Sequence, residues 1–143
     1  VGNISCQIIW EVSMNYVPLI GRILIGLLPL MSGLMTHFSE QGVQYAEAHG
    51  VPAASVLVPL SGVVAIVGSL SIIIGYRAKV GPWLLVLFLL PVTFMMHDYW
   101  KVTDEMQRQV QMVIFFKNLG LLGGVLLLAY YGAGPISLDQ RKQ

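Results

Sequence analysis

The residues able to do chemistry in this chain are few, and they gather where apolar runs end. His97 and Asp98 are adjacent at the point where "VTFMMHDYWK" turns from apolar to polar. One imidazole beside one carboxylate suffices to take up and release a proton next to a bound ligand. His37 closes another apolar run, with His49 in the polar stretch that follows. Histidines on different helices at one depth can bind haem or a metal or relay protons. No HxxxH or CxxC spacing supports a metal centre, and none is expected. Lys117, with Asn118 beside it, stands inside a fourth apolar run. An unpaired lysine in hydrocarbon costs roughly 2.5–3.5 kcal/mol on insertion scales. Lys117 must therefore snorkel outward, pair with Asp98 as a structural tie, or anchor an anionic or quinone-like oxygen. His97, Asp98 and Lys117 are the candidate catalytic groups. Arg22, one turn inside the first run, is explained by snorkelling to anionic headgroups.

These side chains must be positioned by helices in a membrane. Of the 143 residues, 56% are hydrophobic and 10% charged, against about 25% charged in a soluble domain. A membrane helix needs roughly 20 mostly apolar residues. Four runs qualify: Pro18 to Phe38, Pro52 to Tyr76, Val80 to His97, and about Val110 to Tyr131. Pro29, Pro59 and Pro91 fall inside them, which membrane helices tolerate when neighbours satisfy the freed carbonyls. The expected fold is all-α, a transmembrane four-helix bundle with short loops. Residues 1–17 are expected as an interfacial segment, 18–131 as the four-span domain and 132–143 as a polar tail. The stretch from Phe38 to Gly50 is too polar to span and is expected as a short helix on the outer surface.

Lys/Arg counts in the loops orient the bundle. Arg77, Lys79, Arg141 and Lys142 fall on one side, and Lys101 and Arg108 on the other. That bias puts both termini in the cytoplasm and all three histidines toward the outer face. Small residues supply the helix contacts, since lipid is as apolar as leucine: Gly26 and Gly33 in span one, Ser61, Ala65, Gly68 and Ser69 in span two, Gly120, Gly123 and Gly124 in span four. They are expected to pack internally, with oligomerisation left open. A net charge of +1 without a basic stripe excludes nucleic acid. The single cysteine, Cys6, reads as a packed thiol, and Asn3-Ile4-Ser5 is a weak glycosylation match. No basic n-region or small-residue cleavage site is seen, so no cleaved leader is expected. Walker, dinucleotide and nucleophile-elbow motifs are lacking.

The chain resembles the DoxX family of small four-helix membrane proteins over about residues 18 to 139. The likeness rests on "GRILIGLLPLMSGL", "GVPAASVLVPLSGVVAIVGSLSIIIGYR", "HDYW", and "FFKNLGLLGGVLLL" followed by "GAGPISLD". Arg22, His97, Asp98, Lys117 and Asn118 fit the family pattern, while Thr36 and Ala65 stand where members often carry a lysine and a glutamate. The resemblance implies a multi-pass protein of the cell inner membrane, the membrane subunit or anchor of a quinone-linked redox system with a soluble or membrane redox partner. It has no covalently bound cofactor; quinone would be held at Lys117, Asn118 and His37, with His97 and Asp98 managing the proton. The alternative is a non-catalytic structural or interaction protein in which Lys117 and Asp98 form a packing tie. Small-solute transport is a weaker third reading, because span two carries no charged residue.

Overall fold

The computed structural model describes the backbone of residues 2–142 and the side chains of residues 14–141. Cys6 and the Asn3-Ile4-Ser5 match lie outside the described side chains. Every regular element among the described residues is helical: α1 Gly2–Met35, α2 Glu40–Ala48, α3 Ala54–Ile74, α4 Gly81–Pro91 and α5 Glu105–Tyr131. A π-helical turn, Val92–Met96, extends α4, and 3-10 turns cover Tyr99–Lys101 and Gln140–Lys142. Four stretches are long and apolar enough to cross a membrane: Met14–Met35, Ala54–Ile74, Gly81–Lys101 and Glu105–Tyr131. The chain is a multi-pass membrane protein.

Two boundaries differ from expectation. Residues 2–17 do not break from the first span but continue it as one helix of 34 residues. At about 1.5 Å per residue it is about 51 Å long, well beyond the ~30 Å hydrocarbon core, so one end must project. The fourth span begins at Glu105 rather than near Val110, because the Asp104 carboxylate accepts the Gln107 N–H at 2.8 Å and caps the helix in the polar stretch. The short helix between spans one and two is α2, capped by Ser39, whose hydroxyl accepts the Gly42 N–H at 3.1 Å.

The helices meet where they lack side chains. Gly26 lies against Ile73 and the Ser69 carbonyl, and Gly33 against Ile66 and the Gly62 carbonyl, which joins α1 to α3. Gly68 and Gly81 face each other's carbonyls with Leu85 and Ser71 beside them, joining α3 to α4. Ala65, Ile72, Leu85, Phe88, Leu89 and Val125 form the buried core. Ala65 is fully buried there, so a glutamate at that place would sit in the core. Span four behaves differently. A Cβ on Gly120 or Gly123 would meet nothing, and Gly124 touches only Ile25 of α1.

The segment after α5 folds back as a strap. Leu138 N–H donates to the Ile74 carbonyl and Asp139 N–H to that of Gly75, while the Asp139 carboxylate accepts N–H bonds from Arg77 and Ala78 at 3.0 and 2.8 Å. Beneath it lies Arg22. Snorkelling is not what Arg22 does: it is 1% exposed and donates Nη2–H to the Ile136 carbonyl at 2.8 Å. Its Nε and Nη1 have no hydrogen-bond partner, and among the described residues it makes no ion pair. Arg77 and Ile136 both have positive φ, 48° and 59°, a left-handed conformation that costs about 1–3 kcal/mol unless the surroundings hold it. The strap's own bonds at both residues hold it here.

Two outcomes test this packing. Gly26→Val should destabilise the detergent-solubilised protein by about 1–3 kcal/mol through overpacking, whereas Gly120→Val should stay within about 0.5 kcal/mol, read by thermal unfolding. Asp139→Ala leaves two backbone N–H groups unpaired and should cost about 1–3 kcal/mol in the same assay.

Candidate functional site

The bundle is not closed along its whole length. α1 and α5 meet at Ile25 and Gly124 and part toward the α2 side, while α3 and α4 remain packed behind them. The wedge so formed is an open cavity of about 920 Å³. Its walls are largely apolar, with Val64, Leu87, Phe88, Met95 and Ile114 among them, and α2 covers one end through Tyr45 and Ala46. Ala46 packs with Ala54 and Val58, and Val43, Val51 and Met96 fill the gap around them. Pro91 shapes the other wall. It has no N–H for the Leu87 carbonyl, and the helix widens into the π turn directly after it.

Three of the candidate residues line this cavity: His37, His97 and Lys117. His37 Nδ1 is 2.9 Å from the Ser32 carbonyl, its ring lies tilted on Phe88 with centroids 5.3 Å apart, and its Cβ sits over Gly62. His97 Nδ1 is 2.7 Å from Gln111 Oε1, Gln111 Nε2 donates to the Tyr45 hydroxyl at 3.0 Å, and that hydroxyl donates to the Met96 carbonyl at 3.2 Å. His49 stacks on Tyr45 with centroids 4.2 Å apart and holds its carbonyl at 2.8 Å. This chain of bonds ties α2, the end of α4 and α5 together. Tyr45 and Gln111, its centre, are residues the sequence analysis did not single out. Their signal was present in the polar face of the α2 stretch and in the first polar turns of α5.

The other two candidates lie elsewhere. Asp98 is buried and pairs with Lys101 three residues on, at 2.8 Å, not with Lys117 across the bundle. The π turn and the bend at His97 point "HDYW" several ways at once. Tyr99 and Trp100 enter an edge-to-face cluster with Phe115, and Asp98 turns to the 3-10 turn that holds Lys101. Asn118 is buried and does not line the cavity, since a neighbour on a helix points about a quarter-turn away. Lys117 is exposed to the cavity and, among the described residues, forms no ion pair. It lies about 18 Å along α5 from Glu105 at about 1.5 Å per residue, near the middle of the helix. Among the described residues no three His, Cys, Asp or Glu side chains come together as a metal site.

A double-mutant cycle separates the two pairings of Asp98. Coupling between Asp98 and Lys101 should be small but positive, about 0.2–1 kcal/mol for a pair with one exposed partner, and coupling between Asp98 and Lys117 should be zero within error. A larger Asp98–Lys117 coupling would restore the cross-bundle tie.

The fold and cavity can be compared with known proteins. The chain is 30% identical over 124 residues to the inner membrane protein YphA of Escherichia coli (strain K12), covering 86% of this chain and 88% of the relative. It is 32% identical over 123 residues to the inner membrane protein YqjF of the same organism, covering 85% and 88%. The ER-derived vesicles protein ERV29 of Saccharomyces cerevisiae (strain ATCC 204508 / S288c) is 32% identical over 81 residues, which are 57% of this chain and 26% of that longer protein. No solved structure matches. The SURF4 family model matches residues 11–143. This corrects the DoxX resemblance, and the assignment to a quinone-linked redox subunit falls with it. The strings that carried the resemblance are glycine-spaced apolar helices, whose pattern follows from close packing in lipid and does not by itself separate families. Matched over nearly its whole length, the chain belongs to the SURF4 family.

Proposed function

We propose that this chain is a non-catalytic binding protein of the membrane, whose wedge-shaped cavity holds a guest presented from the α2 side. The observation that carries this reading is the cavity itself. At about 920 Å³ it lies at the upper end of the roughly 300–1,000 Å³ typical of ligand sites, and it has their mostly apolar wall with a few polar groups. Its polar groups are largely engaged with one another. His37 is held by a backbone carbonyl and His97 by Gln111, while Asp98 lies outside the lining, paired with Lys101, which suits a fixed receptor wall better than a proton relay. The name of the yeast relative links that protein to ER-derived vesicles, and a receptor that carries a guest is a non-catalytic role in keeping with it. Two bacterial relatives are named inner membrane proteins, and we place this chain in the cell inner membrane too. The Lys/Arg bias puts its termini in the cytoplasm and the cavity on the outer side.

The test fills the cavity. Ser61 lines it from α3. Wild-type protein extracted in mild detergent should show a stoichiometric non-covalent guest by native mass spectrometry. Ser61→Trp should lose at least about nine-tenths of it, with thermal unfolding within about 1 kcal/mol of wild type, since the added ring enters open space rather than packed core. A wild type without a guest, or a guest retained in full by folded Ser61→Trp, would refute the assignment.

A further inference from the structure

Resting on that reading, we infer that the guest is a single-chain amphiphile with a carboxylate head, of the long-chain fatty acid class, its head on Lys117 and its chain along the apolar wall. The inference starts from a charge without a partner. Lys117 carries the one permanent charge in the cavity lining; its other polar members are hydroxyls, an amide and two histidines. It stands near the middle of α5, in a membrane-crossing helix where an ammonium without a counter-charge is costly to hold. None of the carboxylates nearest in sequence relieves it: Glu105 stands about 18 Å away along α5 at about 1.5 Å per residue, and the next two are engaged. Asp98 is taken by Lys101, and Asp104 caps α5 through Gln107. Lys117 and His97 line the same cavity, and among the described residues no carboxylate lines it with them.

What would complete the site follows from its shape and polarity. One cation calls for one anionic group. Most of the remaining wall is apolar, with Val64, Leu87, Phe88, Val92, Met95 and Ile114 in it. An alkyl chain taken up from water is favoured there methylene by methylene, whereas one entering from the lipid gains little, so the choice of guest falls to its head. Methionines at 35, 95 and 96 add a wall that adapts to a flexible chain. The cavity is open where α1 and α5 part, and its rim residues Met35, Leu60 and Leu87 are themselves exposed, so a chain enters sideways without threading between packed helices. A lipid with two chains and a large head would exceed the space and bring a headgroup with more polar atoms than this wall can satisfy. A single chain ending in one carboxylate meets both limits.

The experiment titrates purified protein in mild detergent with oleate and, separately, with oleyl alcohol, which has the same chain and no charge, and counts bound molecules by native mass spectrometry. Wild type should bind one oleate at least about tenfold more tightly than the alcohol. Lys117→Met should bring the two to parity while remaining folded, because it removes an unpaired charge, and Lys117→Arg should keep the preference. Ser61→Trp should abolish binding of both. Equal binding of acid and alcohol by wild type, or an acid preference that survives Lys117→Met, would overturn the inference, as would oleate binding untouched by Ser61→Trp, which marks an adventitious additive only. If wild type carries a native guest that Ser61→Trp loses, yet shows no preference for oleate, the fatty-acid inference fails and the binding function stands. If there is neither guest nor oleate binding, both fail.

Discussion

The close approach of α3 to the helices on either side of it is the contact on which the rest of this structure depends. In a bilayer, burying apolar surface against another helix gains little, because lipid already covers it, so association rests on van der Waals fit and polar contacts. Gly26 and Gly33 let α1 settle onto the carbonyl face of α3, and Gly68 and Gly81 do the same for α4. These three helices form a tightly joined unit. α5 has no equivalent, since Gly120 and Gly123 face open space and only Gly124 touches α1. The cavity is a consequence of that asymmetry: three helices held close at the backbone and a fourth joined mainly to α4 and pinned to α1 at one end.

Both ends of the wedge are then secured by polar bonds rather than by more packing. On the terminal side, the strap from Gly132 to Asp139 lies across the α3–α4 loop and covers Arg22. A buried guanidinium with two unpartnered nitrogens is not a stabilising device in itself. It fixes the strap's position, because the Ile136 carbonyl is the acceptor it reaches. On the α2 side, the chain from His97 through Gln111 and Tyr45 to Met96 spans the mouth and joins three elements with no covalent link. The His97–Gln111 bond is partly buried and the two at Tyr45 are exposed, and together they hold α2 over the cavity while leaving its interior free.

Much of this was legible in the residues, and the gaps have physical reasons. The spans were legible because continuous apolar runs of this length have no other use, and α2 because its polarity forbids it from spanning. The start of α5 was obscured because its first turns are polar, although Asp104 and Gln107 three apart carry a cap signature. The Asp98–Lys101 pair was also written in "HDYWK", where i,i+3 spacing favours it, but the search for a partner looked across helices first. The burial of Arg22 could not be read locally, since its acceptor is 114 residues away. The cavity was illegible for a deeper reason. Gly124 and Gly120 look alike in sequence, and only the divergence of two helices decides which is packed. The same ambiguity misled the family resemblance, which was carried by glycine-spaced apolar strings.

The way the polar residues are engaged supports the proposed binding reading over a proton relay. A group that moves protons must be able to change partners during turnover, and its surroundings must favour both of its states. Here His37 is fixed between a backbone carbonyl and an aromatic ring, and Asp98 is closed off by Lys101. His97 is committed through Nδ1 to an amide that is itself committed to Tyr45. Rearranging His97 would break the bonds that join α2, the end of α4 and α5. Lys117 differs, because nothing in the described bundle depends on it. On the proposed binding reading, a charged residue in a membrane-crossing helix that the fold does not use takes its partner from outside the chain.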